Sequence, residues 1–135
     1  MPCREHVAQL CQHEDELEQL NVKALIISFG FVLLARTWLR ETCAPFTLVL
    51  DPERKVYRSY GLKRSVLRSW SPRTLWFYFR RRLVGKKSHG IQGDPNQLGG
   101  DFIVDKDGII RLAFRSRDPI DRPPVEQLLD VFRHL

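Results

Sequence analysis

The stretch that decides the fold is MPCREHVAQL, residues 1–10. It places Cys3 directly after Pro2, and proline suits the first helical turn because its missing N–H needs no partner there. Apolar residues then recur at helical spacing as far as Leu20, with acids on the other face. They are Val7, Leu10, Cys11, Leu17 and Leu20. The pattern predicts an amphipathic helix with Cys3 at its start.

A thiol in this position lies near unpaired backbone N–H groups and the positive end of the helix dipole. Both favour the thiolate, the form of cysteine that reacts in redox chemistry. The alternative is that Cys3 is a small apolar residue that only packs. Cys11 lies on the apolar stripe and is expected to be structural, and Cys43 is expected to have no role.

The length of 135 residues predicts one domain, residues 1–135. The domain is expected to be globular, because 43% of the residues are hydrophobic and 28% are charged. Three cysteines are an odd number and too few for a disulfide scaffold, so we expect a reducing, cytoplasmic location. The histidines lack metal-ligand spacing with the cysteines, so no metal is expected. The longest apolar run, residues 24–35, is too short to span a bilayer, and no leader pattern opens the chain.

The net charge of +6 is concentrated in one region. Residues 61–90 contain nine Lys and Arg and no acid, whereas the rest of the chain is slightly acidic. A basic face at residues 63–87 could bind nucleic acid, an anionic membrane or an acidic substrate, although such faces are often only solvated. No nucleic-acid motif is present, so we expect at most weak binding that fades with salt.

The order of predicted elements indicates an α/β fold, with a mixed sheet covered by helices on both faces. After the first helix the pattern predicts strand 22–28, helix 31–42, strand 46–50, a helix starting at Asp51, a helix over 72–84, a hairpin over 102–114 and a helix from Pro123.

Several motifs in this order together resemble a peroxiredoxin-like protein of the AhpC/TSA group, which has a thioredoxin fold. They are PCREHVAQL at 2–10, PF at 45–46 with LDPER at 50–54, VYR at 56–58 with YGL at 60–62, QGDP at 92–95 with QLGG at 97–100, FIVD at 102–105 with DGIIR at 107–111, and RSRDP at 115–119. The resemblance covers nearly the whole chain.

The resemblance implies a Cys-x-x-Cys pair whose first member is the nucleophile and whose second is the resolving thiol. Cys3 matches the second member, and the first would fall one residue before Met1. The family fold also has a central strand that leads into this motif, and the sequence does not contain it. We therefore expect a cut or misassigned start. Some relatives use selenocysteine as the first member, and its codon normally reads as stop, so a start assigned at the next methionine would explain the sequence.

The implied function is a thiol or selenol oxidoreductase that reduces peroxides with a thiol reductant and carries no metal, flavin or nicotinamide cofactor. Related enzymes use an arginine to stabilise the thiolate and polarise the peroxide. Arg117, just after the hairpin, is the candidate, with a surface ion pair as the alternative. Gly99 and Gly100 stand where thioredoxin folds usually place a cis-proline beside the active cysteine, so their backbone could approach the thiol.

Two further expectations concern partners. The alternative function is a non-catalytic binding domain that uses the basic 63–87 face, although neither a specific nucleic acid nor a membrane is expected as a partner. The missing strand would leave apolar strand edges unpaired, and such edges recruit other strands. We therefore expect a homo-oligomer.

Overall fold

The computed structural model describes residues 2–30, 32–42, 45–85, 94 and 96–135. The elements are α1 (Pro2–Cys11), α2 (Glu14–Gln19), β1 (Leu25–Ser28), α3 (Val32–Thr42), β2 (Thr47–Leu50), α4 (Lys55–Ser59), α5 (Val66–Ser69), α6 (Pro72–Leu83), β3 (Gly100–Val104), β4 (Ile110–Arg115) and α7 (Val125–Arg133). This mixed α/β content agrees with the predicted fold class. Cys43 and residues 86–93 lie outside the described residues.

The described strands form two small sheets. In one sheet β1 pairs with β2 in parallel, with Leu25 opposite Thr47 and Ser28 opposite Leu50. In the other, β3 and β4 form an antiparallel hairpin with an irregularity between Ile103 and Val104. Among the described residues no strand hydrogen-bonds β1 to the hairpin, and this is the place where the sequence predicts a missing strand.

The first predicted helix is divided in two. The amides of Gln12 and His13 bond to carbonyls three residues back, at 3.1 and 3.0 Å, so the chain tightens and α1 ends at Cys11. α2 then begins with three acids, which its positive N-terminal end stabilises. Cys3 and Cys11 still lie on one helix, as expected.

The helix α4 begins later than the sequence predicted, because a turn precedes it. The chain was predicted to become helical at Asp51, but Arg54 adopts a left-handed conformation with φ 54° and the helix begins at Lys55. Asp51 still acts as a cap, because its buried carboxylate accepts hydrogen bonds from the amides of Lys55 and Val56 at 2.9 and 2.8 Å.

The remaining helix and hairpin signals are confirmed. Ser71 caps α6 by accepting a hydrogen bond from the Thr74 amide. Gly108 supplies the positive φ that the hairpin turn requires, and its amide bonds to the Asp105 carbonyl at 3.0 Å. The short helix α5 was not predicted.

The core lies where α2 and α7 meet. Leu17, Val125 and Leu129 are buried together, and Leu129 is fully enclosed. Partly buried apolar side chains surround them: Leu10, Val22, Phe46 and Phe132. α1 also packs against α3 and α7, which fixes the helix that carries Cys3. Within the described ranges, no helix is long and apolar enough to cross a membrane.

Candidate functional site

Cys3 lies in the first turn of α1 with its side chain exposed. The Arg122 guanidinium, from the segment between β4 and α7, donates a hydrogen bond from Nη2 to the Cys3 sulfur at 2.8 Å. A guanidinium at this distance forms a charge-assisted contact with the sulfur. The structure thus supplies a cation in addition to the helix terminus that the sequence predicted.

Neighbouring groups hold the Arg122 side chain in place. Its Nη1 donates to the Ser116 hydroxyl and, at 3.1 Å, to the Asp121 carbonyl. Ser116 is buried, and its amide donates to the Gly99 carbonyl at 3.0 Å. The guanidinium is therefore oriented by two groups besides the thiolate.

The pKa of Arg122 reflects this environment. Burial alone would lower the pKa, but the charge of the Cys3 sulfur and the hydrogen bond to it raise the pKa above its ordinary value. Asp101 and Tyr57 act in the same direction. Arg122 therefore stays cationic beside the sulfur.

Gly99 leaves the space that Arg122 occupies. A Cβ atom added at Gly99 would lie 2.9 Å from the Arg122 Nη2, so a larger residue would push the guanidinium aside. Gly100 is also confined, because its added Cβ would lie 2.5 Å from the Phe114 carbonyl oxygen. Gly99 therefore contacts Arg122, which in turn contacts the thiol, whereas Gly100 lies against the hairpin.

Arg117, the arginine that the sequence singled out, lies five residues before Arg122 with its side chain exposed. Its backbone amide donates to the Asp121 carboxylate at 2.7 Å, which folds the segment back on itself. The arginine that contacts Cys3 is Arg122, and sequence reasoning missed it. The only local signal is its position directly ahead of Pro123 and Pro124, which lead into α7.

Tyr57 forms part of the surroundings of this pair. Its hydroxyl donates to the Ile27 carbonyl at 2.9 Å, and its ring packs edge-on against Phe29. Burial, and next the charge of Cys3, raise the pKa of Tyr57 to about 12. The same two causes, in the same order, raise the pKa of Tyr78 on α6. Both phenols are therefore neutral near pH 7.

His6, one turn after Cys3, connects α1 to β3. It is buried, and its Nε2 lies 3.2 Å from an Asp101 carboxylate oxygen. The His6 Nε2 and the Asp101 Oδ2 are buried without a hydrogen bond of good geometry. This contact places the start of β3 beside the thiol.

Two ion pairs hold α6 near the same region. Arg81 contacts the Glu5 carboxylate at 2.7 Å, and Arg73 lies 3.4 Å from Asp118.

No trio of His, Cys, Asp or Glu within the described residues could hold a metal ion. A shallow surface depression of about 400 Å³ lies at the end of α7, beside Arg111 and His134, and does not include Cys3.

Fold and site together define an α/β protein with an exposed thiol paired to a fixed guanidinium, which is a candidate thiol redox centre. The chain belongs to the AhpC/TSA antioxidant enzyme family, whose pattern matches residues 9–119. Cys3 and Arg122 both lie just outside the matched range.

The chain is also similar to three mammalian proteins named Peroxiredoxin-like 2C. It is 27% identical to the Homo sapiens protein over 144 residues, which cover 96% of this chain and 62% of the relative. It is 26% identical to each of the Bos taurus and Mus musculus proteins, with the same coverage of this chain. The chain therefore spans less than two thirds of the length of these relatives.

Proposed function

We propose that the chain functions as a peroxiredoxin-like thiol or selenol oxidoreductase that reduces peroxides, with Cys3 as its resolving thiol. The observation that supports this most directly is the Arg122 guanidinium 2.8 Å from the Cys3 sulfur, at the first turn of α1. Membership of the AhpC/TSA antioxidant enzyme family supports the same class of chemistry.

The proposed reaction has three steps. The first member of the pair, which the resemblance implies one residue before Met1, attacks the peroxide O–O bond as a thiolate or selenolate. It becomes a sulfenic or selenenic acid, and an alkoxide or hydroxide leaves. The Cys3 thiolate then attacks that sulfur or selenium, a disulfide or selenenylsulfide forms, and hydroxide is released. Two equivalents of an external thiol reduce the bridge by exchange and are oxidised to a disulfide.

Arg122 performs the task that the sequence assigned to Arg117, as a residue that contacts the reacting Cys3 sulfur. It donates a hydrogen bond to the Cys3 sulfur that attacks in the second step. The exposure of Cys3 supports this role, because a resolving sulfur must reach both its partner and the reductant. A role for Arg117 itself stays a prediction.

The two separate sheets also support the proposal. β1 is paired on one edge only, and β3 likewise pairs only with β4 among the described strands. A strand ahead of α1, which the resemblance implies, would fit between them and complete a thioredoxin-like sheet.

The test is a peroxidase assay with a thiol reductant on two chains, residues 1–135 and the same chain extended upstream to restore the strand and the first Cys or selenocysteine. We expect the short chain to be nearly inactive and the extended chain to be faster by orders of magnitude. In the extended chain, Cys3→Ser should leave the sulfenic or selenenic acid unresolved, detectable by a dimedone-type probe. Equal turnover of both chains would contradict the assignment.

A further inference from the structure

The outer face of α6 carries an apolar stripe that no other described part of the chain covers. Trp76 is 61% exposed, Phe79 is 52% exposed and Leu83 is 70% exposed. These positions recur at helical spacing, and the rings of Trp76 and Phe79 stack with centroids 5.8 Å apart. Leu75, beside them, is also about half exposed.

The inner face of the same helix packs against the rest of the protein. Thr74 is buried, Phe77 is partly buried, and Arg81 pairs with Glu5 of α1. The direction in which α6 faces is therefore fixed by contacts on its less apolar side. Its most apolar side points outward, the reverse of an ordinary surface helix.

Arginines border the apolar stripe on both sides. At 100° per residue, Arg73, which also lies 3.4 Å from Asp118, and Arg80 lie along one edge of the stripe and Arg82 lies along the other. All three are exposed, and residues 61–85 contain no acidic side chain. A flexible arginine stem can cover apolar surface while its charged end reaches a neighbouring anion.

We propose that the stripe formed by Leu75, Trp76, Phe79 and Leu83 is a docking surface for an anionic phospholipid membrane. A helix with aromatic and aliphatic side chains on one face and arginines along its borders lies in the plane of the interface. The apolar residues enter the headgroup boundary, and the arginines contact lipid phosphates and carboxylates. This binding is independent of the cysteine chemistry.

Charge complementarity favours this occupant over two others. A second copy docked through the same face would bring arginine against arginine, which opposes association. Nucleic acid would satisfy the arginines but would leave Leu75 and Leu83 without an apolar environment. An anionic membrane offers an apolar environment to the stripe and negative charge to the arginines. On the sequence alone, an anionic membrane is only one possible partner of the basic face and none is expected, because the sequence does not show which way the apolar side of α6 faces.

The experiment measures flotation of the full chain with vesicles of phosphatidylcholine alone and of phosphatidylcholine mixed with an equal amount of phosphatidylserine. We expect binding to the mixed vesicles that weakens as salt is raised. Arg80→Gln with Arg82→Gln should weaken binding by roughly 25-fold, and Trp76→Ser with Phe79→Ser should abolish it. Lys23→Gln with Lys106→Gln removes the same charge elsewhere and should change binding by less than about threefold.

A measurement on the unmodified chain avoids the risk that a variant fails to fold. Tryptophan emission should shift to the blue with the mixed vesicles and be quenched by lipids spin-labelled near the headgroup. Absence of both the shift and flotation would overturn the proposal. So would self-association lost in Trp76→Ser with Phe79→Ser without vesicle binding, or an oligonucleotide that binds more tightly than the mixed vesicles at physiological salt.

Discussion

Arg122 and Cys3 are separated by 119 positions in the sequence, and the Nη2 of one lies 2.8 Å from the sulfur of the other. The contact joins the first turn of α1 to the residue that precedes the final Pro-Pro and α7. It couples the electrostatics of the thiol to the packing of the C-terminal segment. A change on either side of the contact should therefore alter the reactivity of Cys3.

Arg122→Gln should slow alkylation of Cys3 by iodoacetamide at neutral pH by roughly fivefold to tenfold, because a charge-assisted hydrogen bond to the thiolate is lost. Mass spectrometry of the modified peptides follows each cysteine separately. Arg122→Lys keeps the charge and should recover part of the rate. Arg117→Gln is the matched control, with an expected change below about twofold; equal slowing in both variants would remove Arg122 from the site.

Gly99→Ala should reduce Cys3 reactivity without removing any group that touches the sulfur. The new methyl would lie 2.9 Å from the Arg122 Nη2, and the end of a flexible side chain can move away. We therefore expect a folded protein with a cooperative melt and an alkylation rate close to that of Arg122→Gln. Gly30→Ala is the control, since its Cβ meets only the Ser28 hydroxyl at 3.7 Å. An unchanged rate in Gly99→Ala would show that Arg122 does not need that space.

The sequence predicted those parts of the fold that have a local signal. α6 has the Ser71 cap, the hairpin has the turn at Gly108, and the apolar side of α7 has Leu128 and Leu129, both of which are buried. The break after Cys11 was missed because the apolar spacing continues across it, although the hydrogen bonds tighten to three residues.

The site was predictable only in part, for a related physical reason. Cys3 carries its own signal, because a helix start beside proline is visible in the sequence. Arg122 has only its position ahead of Pro123 and Pro124, which does not indicate a contact with Cys3, since that contact depends on how β4, the following turn and α7 return the chain to α1. Arg117 and Arg122 differ in sequence context only slightly, and long-range packing alone distinguishes them.

Asp51→Ala should lower the free energy of unfolding by about 1–2 kcal/mol. The Asp51 carboxylate accepts the amide hydrogens of Lys55 and Val56 and is buried, so its removal leaves α4 uncapped. Urea denaturation measures the change. Asp107→Ala, at an exposed position in the hairpin turn, is the control and should stay within about 0.5 kcal/mol of the unmodified chain. A cost as small as that of Asp107→Ala would mean that the cap contributes nothing.

The raised pKa of Tyr57 predicts that the free energy of unfolding falls at alkaline pH. Its pKa is raised to about 12, first by burial and then by the charge of Cys3, whereas the unfolded chain has the ordinary value of 10.0. The folded state therefore holds this proton more tightly. The contribution of Tyr57 to the free energy of unfolding is fully present below pH 10 and is lost between pH 10 and 12, by at most about 3 kcal/mol. Tyr57→Phe loses the hydrogen bond to Ile27 but should show a shallower decline in this window; parallel curves for the two proteins would contradict the assignment.

The chain should also self-associate through its strand edges. β1 pairs only with β2 among the described strands, and its residues Leu25–Ser28 are mostly apolar. An unpaired edge of this kind recruits another strand, and a second molecule can cover it without repacking the helices. Light scattering over a dilution series should show a dimer or larger species at high micromolar concentration.

Two variants separate this edge from the apolar stripe on α6. Trp76→Ser with Phe79→Ser should leave edge-driven association in place, since these side chains lie on the outer face of a helix. Restoring an upstream strand should weaken it, because the edge of β1 would then be paired within the same molecule. A monomer with a cooperative melt at high concentration would show instead that the two sheets are stable with these edges open.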